Sequence, residues 1–218
     1  MSGRVGTFFE IPLALYRQLT PPGDERTDLY RSANPFMREV FWSRLRILYG
    51  FIRAEQVQRS CLDFGGGSGV MLPSLSRTFR EVECIDLDAH LARRFVHEFQ
   101  LANVRIREEN LLRPADRRYQ AIVAADVLEH FLDTPRVIDA ITQRLEPGGV
   151  LFTSLPTENA LYDALRFVLR KRKPVDHYHS GYEVEAQLQA AGFRRVRHRA
   201  LPLPVAAPLF LISAWRRP

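Results

Sequence analysis

Four glycines fill five positions, Gly65-Gly66-Gly67-Ser68-Gly69, between the apolar run Ser60-Cys-Leu-Asp-Phe64 and a helix-like stretch that begins at Val70. An ordinary surface turn needs one or two glycines. A strand that runs into bare backbone just before a helix is a device of parallel α/β sheets. The missing Cβ atoms let another group come close, and the turn can aim backbone N–H groups at a ligand.

The segments that follow keep the alternation such a sheet requires. Strands are expected at 60–64, 82–86, 104–108, 119–125 and 150–155, with helices at 70–79, 88–102 and from Thr134 onward. Leu91, Phe95 and Phe99 recur every fourth residue, and Val137, Ile138, Ile141 and Leu145 form the apolar stripe of the later helix, with Thr134 read as its N-cap and Pro135 as its first residue. Glu146-Pro-Gly-Gly149 turns that helix into the strand at 150–155. Asn34 and Pro35 open a long amphipathic helix rich in aromatic and charged side chains, whereas residues 1–33 show no clear period and Thr20-Pro-Pro-Gly-Asp-Glu-Arg-Thr-Asp28 reads as a linker. A helix is expected from Glu158 to Lys173, then a capping box of Ser180 with Glu183 on a helix ending at Gly192, and finally two antiparallel strands at 193–201 and 209–217. The division that results is a helical extension over 1–55 and an α/β domain over 56–218.

Length and composition fit one core, with 46% of the 218 residues hydrophobic. Two cysteines, Cys61 and Cys84, lie in buried-strand patterns and read as reduced core thiols of a cytoplasmic protein. The opening residues lack a basic segment followed by an apolar stretch and a small-residue cleavage site, so no signal peptide is expected. The apolar stretch near the end is interrupted by prolines and too short to cross a bilayer. The formal net charge of +6 is spread along the chain. Dispersed arginine favours a solvated surface over a nucleic-acid groove, while leaving room for an anionic acceptor or peripheral membrane contact.

Three ligand classes use a glycine-rich turn of this kind. A P-loop needs Lys-Ser/Thr after the glycines, and none follows. A dinucleotide turn needs a third glycine where Val70 stands. The pattern present is D-x-G-x-G-x-G over Asp63, Gly65, Gly67 and Gly69, and its acid suits a cationic ligand that carries an amino-acid moiety. It resembles motif I of class I S-adenosylmethionine-dependent methyltransferases. The later motifs follow in order: Asp86 at the end of Cys84-Ile-Asp-Leu-Asp88, Glu108-Glu-Asn-Leu-Leu112, Asp126-Val-Leu-Glu-His-Phe-Leu-Asp133, and Leu145-Glu-Pro-Gly-Gly149 leading to Pro156. The last two are similar to ubiquinone-pathway O-methyltransferases and many small-molecule methyltransferases. The resemblance implies a Rossmann-like, doubly wound, seven-stranded sheet with one antiparallel strand near the C-terminus. It also implies S-adenosylmethionine as methyl donor and S-adenosylhomocysteine as product. Asp86 would receive the ribose hydroxyls, and Leu87, Asn110 and Leu111 would meet the adenine. Asp63, Gly65, Gly67, Gly69 and Asp126 would complete the cofactor cleft at the ends of the first and fourth strands.

In-line methyl transfer needs alignment above all, and a base only when the acceptor must lose a proton. His130 is the candidate base, and His179, from the acceptor-side loop shared with His177, is the second catalytic candidate. Asp126, Glu129, His130 and His179 could together take a divalent metal, similar to the E-x-x-E-H…H arrangement of small-RNA 2′-O-methyltransferases, with Asp126 in place of the first glutamate. Tyr162, Phe167 and the basic run Arg170–Lys173 could form a lid over an anionic or lipid-like acceptor, but the favoured reading is that the cations complement the helix C-terminus. His90, His97 and His198 read as surface residues. The leading expectation is O-methylation of a small or lipid-like molecule. The alternatives are an RNA methyltransferase with a divalent-metal site and a methyltransferase-like module that binds without turnover.

Overall fold

The computed structural model describes residues 6–114, 117–159, 178–202 and 208–217. Two short helices lie in the stretch that shows no clear period, α1 (Leu13–Leu19) and α2 (Glu25–Asp28). The supposed linker therefore contains a helical turn, capped by Asp24, whose side chain accepts from the Arg26 amide. The long helix α3 (Pro35–Ala54) forms as expected: Asn34 accepts from the amides of Phe36 and Met37, and Pro35 occupies the first turn. Such a cap is worth about 1 kcal/mol.

Next come β1 (Ser60–Phe64), α4 (Leu72–Thr78), β2 (Glu81–Asp86), α5 (His90–Glu98), β3 (Val104–Glu108) and β4 (Tyr119–Ala125). A single 3-10 turn (Leu128–His130), α6 (Thr134–Arg144) and β5 (Leu145–Pro156) follow. The chain closes with α7 (Gly181–Ala190), β6 (Arg194–Leu201) and β7 (Phe210–Arg216). The N-cap of α6 is Asp133, which accepts from the Arg136 amide; Thr134 is the first helical residue, and its hydroxyl turns back to the Phe131 carbonyl. Leu145 leaves α6 as its C-cap and starts β5, so the Pro-Gly-Gly segment lies inside that strand as an irregularity. Pairing with β4 jumps from Tyr119↔Leu145 to Ala121↔Val150. The expected capping box on α7 is present in both directions between Ser180 and Glu183.

The seven strands are ordered β3-β2-β1-β4-β5-β7-β6, with β7 antiparallel to both of its neighbours. This is the Rossmann-like sheet with one reversed strand. Chain order reverses between β1 and β4, which opens a crevice beyond their carboxyl ends.

Period-two alternation sends side chains into two separate cores. Cys61, Val82, Cys84, Ala121, Phe152 and Ile212 face α3, α4 and α5, together with α1. Leu62, Phe64, Ile122, Leu151 and Trp215 face α6 and α7. A sheet covered on both sides explains why its central strands read as unbroken apolar runs. Both cysteines are free and buried. The N-terminal helices share the first core: Tyr16, Tyr30 and Trp42 meet in tilted and edge-on contacts with centroids 5.2–6.0 Å apart. No helix among the described residues is long and apolar enough to cross a membrane.

Candidate active site

The glycine turn starts where β1 ends. Gly65 has φ +75°, and a side chain there would strike Val127, just past β4. Gly67 sits so close to the tip of β2 that a Cβ would lie 2.6 Å from the Asp86 carboxyl carbon and from the Asp88 carbonyl. Gly66 is crowded by the Asp63 carboxyl, and Gly69 by Ala92 and Phe95 of α5. The glycines thus bring β1, β2 and the loop after β4 to one point. They serve less as donors than expected. Gly65 N–H is spent on the Ile85 carbonyl (2.8 Å), Gly67 N–H on Asp86 Oδ2 (2.8 Å) and Gly69 N–H on the Gly66 carbonyl (2.9 Å). Close approach is the requirement that keeps these positions bare.

Asp86 is held at both oxygens, Oδ2 by Gly67 N–H and Oδ1 by Asp88 N–H at 2.9 Å. Each carboxylate oxygen can accept more than one bond, so this orients the group and leaves lone pairs for a ligand. Asp63 stands behind the turn, 3% exposed. Burial, and then the neighbouring Asp86, pushes its carboxyl up to about 7. Beside Asp86, Leu87 is 68% exposed, an apolar surface at the crevice, whereas Leu111 is buried. Asn110 is exposed, and its side-chain oxygen closes a local turn by accepting from Leu112 N–H at 2.8 Å. Glu109 is engaged by Arg107 and Arg113.

Across the crevice, Asp126 ends β4 with φ +52°, a left-handed conformation unusual for a residue other than glycine. Its N–H bonds the Ser154 carbonyl at 2.9 Å, and its carboxylate pairs with Arg44 of α3. Arg44, only 1% exposed, also donates to Ser154 Oγ and Tyr30 Oη and lies 4.8 Å from the ring centres of Phe41 and Phe210. The long helix therefore reaches the site as well as the core. Its signal was in the sequence: Arg44 sits on the apolar stripe of α3, three residues from Phe41 and four from Leu48. Arg26 of α2 was also missed. It binds Asp24 and, at 3.2 Å, Asp88, which fastens the N-terminal segment to the loop after β2.

The turn after β4 carries Glu129 and His130. Glu129 is fully buried, and neither carboxyl oxygen has a hydrogen-bond partner among the described residues. Burial first, and then Asp126, raises its carboxyl well above the usual range; its own backbone N–H and then Arg44 oppose this, and Glu158 adds to it. His130 is partly buried at the same turn. Tyr178 N–H reaches the Glu129 backbone carbonyl at 2.9 Å, and His179 Nε2 lies 3.2 Å from the Leu132 carbonyl, so the chain before α7 docks on this turn. The metal set is not assembled: among the described residues no three His, Cys, Asp or Glu side chains gather to hold an ion. Asp126 is committed to Arg44 and His179 points to a carbonyl. His177, Tyr162, Phe167 and Arg170–Lys173 lie outside the described residues. His90 and His97 are exposed, while His198 is half-exposed and bonded to Ser213 Oγ at 3.0 Å.

Residues 37–198 match a protein family described as a methyltransferase domain. The chain belongs to this methyltransferase family. It is 28% identical over 107 residues to the ubiquinone biosynthesis O-methyltransferase of Acinetobacter baylyi, covering 46% of this chain and 45% of the relative. The ubiquinone biosynthesis O-methyltransferase of Xanthomonas axonopodis pv. citri is 26% identical over 156 residues, 67% of this chain and 65% of the relative. The matched stretch thus spans about half to two thirds of these relatives' own lengths. Among solved structures, the N-methyltransferase NodS from Bradyrhizobium japonicum WM9, in complex with S-adenosyl-L-homocysteine, superposes with a TM-score of 0.66 at 20% identity over 94% of this chain and 97% of NodS. That likeness carries the fold alone.

Proposed function

We propose that this methyltransferase uses S-adenosylmethionine to methylate an oxygen of a small or lipid-like acceptor. The observation that carries the reading is the pairing of Asp86, held at both oxygens on the bare turn, with the buried Asp63 behind it. Two acids facing a turn without side chains suit a ligand that bears positive charge and ribose hydroxyls. Asp86 receives the hydroxyls. Leu87 and Leu111 supply apolar faces for the adenine, and Asn110 offers its amide N–H groups to the ring edge, its oxygen being engaged by Leu112. Gly65, Gly67 and Gly69 let β1, β2 and the loop after β4 draw together around the ligand, Asp63 balances its ammonium group, and Asp126 with its Arg44 partner forms the wall at the tip of β4. The cofactor supplies an activated methyl group. The protein supplies alignment and exclusion of water, and positioning of this kind is worth roughly 7–11 kcal/mol of a barrier. His130 and His179 flank the acceptor side.

The names of the curated relatives support oxygen as the methylated atom. The test is calorimetric titration with S-adenosylmethionine and S-adenosylhomocysteine, followed by a screen of small and lipid-like hydroxyl compounds and primary amines read by release of the demethylated product. Turnover of hydroxyl acceptors with micromolar cofactor binding is the expected result. Binding without turnover of any acceptor would favour a non-catalytic module, and turnover of amines alone would move the reaction to nitrogen.

A further inference from the structure

Arg26 lies ahead of residue 37, where the family match begins, yet its side chain reaches the cofactor crevice. On its own helix the guanidinium closes a fork on Asp24, with Nε 3.0 Å from Oδ1 and Nη2 2.8 Å from Oδ2. It then extends to the loop after β2. There Nη1 donates to the Asp88 carbonyl at 3.1 Å, and Nη2 lies 3.2 Å from Asp88 Oδ2. Thr27, next in the chain, is fully buried, and its hydroxyl donates to the Asp24 carbonyl at 3.1 Å, so α2 is seated against the body of the protein. The bond from Asp24, then the charges of Asp24, Asp88 and Asp86, raise the pKa of the guanidinium against its burial, so Arg26 stays a cation and lies near Asp86.

Asp88 links Arg26 to the acid that ends β2. Its N–H holds Asp86 Oδ1 at 2.9 Å, and its carbonyl packs on Gly67 so closely that a Cβ there would lie 2.6 Å away. Gly67 N–H holds the other oxygen, Oδ2, at 2.8 Å. Two amides thus aim the Asp86 carboxylate, and the residue that carries one of them is pinned by Arg26 at both its carbonyl and its side chain. His90 takes the remaining Asp88 oxygen, with Nδ1 2.7 Å from Oδ1. Without such ties this loop would have little to hold its shape, since Leu87 is 68% exposed and so few apolar contacts fix it.

We propose that Arg26 is a positioning residue for the cofactor: through Asp88 it fixes the direction of the Asp86 carboxylate before the ribose arrives, an inference that rests on the reading of Asp86 given above. A ligand binds more tightly to a group already aimed than to one it must order itself. Arg26 therefore acts on affinity and touches no reacting atom. Its action is geometric, so it treats S-adenosylmethionine and S-adenosylhomocysteine alike, because both carry the same ribose. A through-space effect of its charge would behave otherwise. Loss of a nearby cation would favour the sulfonium ligand over the neutral sulfide.

The test is calorimetric titration of both ligands into the unsubstituted protein, Arg26→Ala and Arg94→Ala. Arg94 of α5 donates to the Gln18 carbonyl at 3.3 Å, a second tie to the N-terminal segment that leaves Asp88 alone. Arg26→Ala should weaken both ligands about ten-fold and by the same factor, while Arg94→Ala leaves both affinities within about two-fold. Unchanged affinity in Arg26→Ala, a selective loss of S-adenosylhomocysteine, or an equal loss in Arg94→Ala overturns the proposal. Amide exchange in the empty protein, read residue by residue by NMR, gives a second answer without a ligand. In Arg26→Ala the Gly67 and Asp88 amides should exchange faster while those of Leu62 and Ile122 in the central strands keep their protection. Unchanged exchange at Gly67 and Asp88, or faster exchange throughout the sheet, counts against a positioning role. Urea unfolding should shift little, because the Arg26 side chain is 36% exposed and its ion pairs add little to stability. Failure of both ligands to bind the unsubstituted protein would remove the cofactor reading and this inference with it; normal binding there, with Arg26→Ala indistinguishable, would remove this inference alone.

Discussion

Asp63→Asn should make the empty protein more stable above neutral pH and leave its stability nearly unchanged in mild acid. The Asp63 carboxyl sits at about 7 in the fold against an ordinary 3.8, with burial as the main cause and Asp86 as the second. Between those values the native protein holds a proton that the unfolded chain has lost, so stability falls as pH rises from about 4 to about 7 and levels off above. At about 1.4 kcal/mol for each unit of that gap, the cost reaches about 4 kcal/mol. Asparagine keeps the shape and removes the titration. Urea unfolding of both proteins from pH 4 to pH 8 should give curves that coincide at the acid end and separate by up to about 4 kcal/mol at the alkaline end, with the variant the more stable. S-adenosylhomocysteine should stabilise the parent more than the variant above pH 7, where Asp63 can balance an ammonium group. Parallel curves across the range would show that Asp63 does not carry a proton into the fold, and would remove the electrostatic reason for two acids at this turn.

Other changes separate binding from folding. Gly67→Ala should place a methyl group against Asp86 and Asp88 and weaken cofactor binding about ten-fold or more, with circular dichroism unchanged. Asp86→Ala should weaken cofactor binding by about 1–3 kcal/mol, measured by calorimetry. Arg44→Met should lower stability by about 3 kcal/mol in urea, the low end for a broken buried pair because the Asp126 side chain is 31% exposed. Ser180→Ala should cost about 1 kcal/mol through the lost cap on α7 and leave cofactor affinity alone.

The sheet was legible because its signals are local. Asp63 and Asp86 end apolar runs, and Asn34-Pro35 and Ser180 with Glu183 announce their helices within a few residues. The misses have physical reasons. Helix α2 is four residues long, too short to show a period, although Asp24 before it was a readable cap. Asp133 and Thr134 are both good caps and adjacent, and sequence alone does not rank them. The turn's N–H groups were read as ligand donors, but which of them are already bonded depends on how closely Ile85 and Asp86 approach. Arg44 was visible as a charge on an apolar stripe, but its partner Asp126 is 82 residues away and only the fold brings them together.

The family match begins at residue 37, two residues inside α3, while Tyr16 and Tyr30 pack on Trp42 from before that point. A chain trimmed to the shared segment would lose the Asn34 cap and leave an indole ring and its aromatic neighbours facing water. Its first symptom would be precipitation, and an assay on such a fragment would report a defect of solubility in place of one in chemistry.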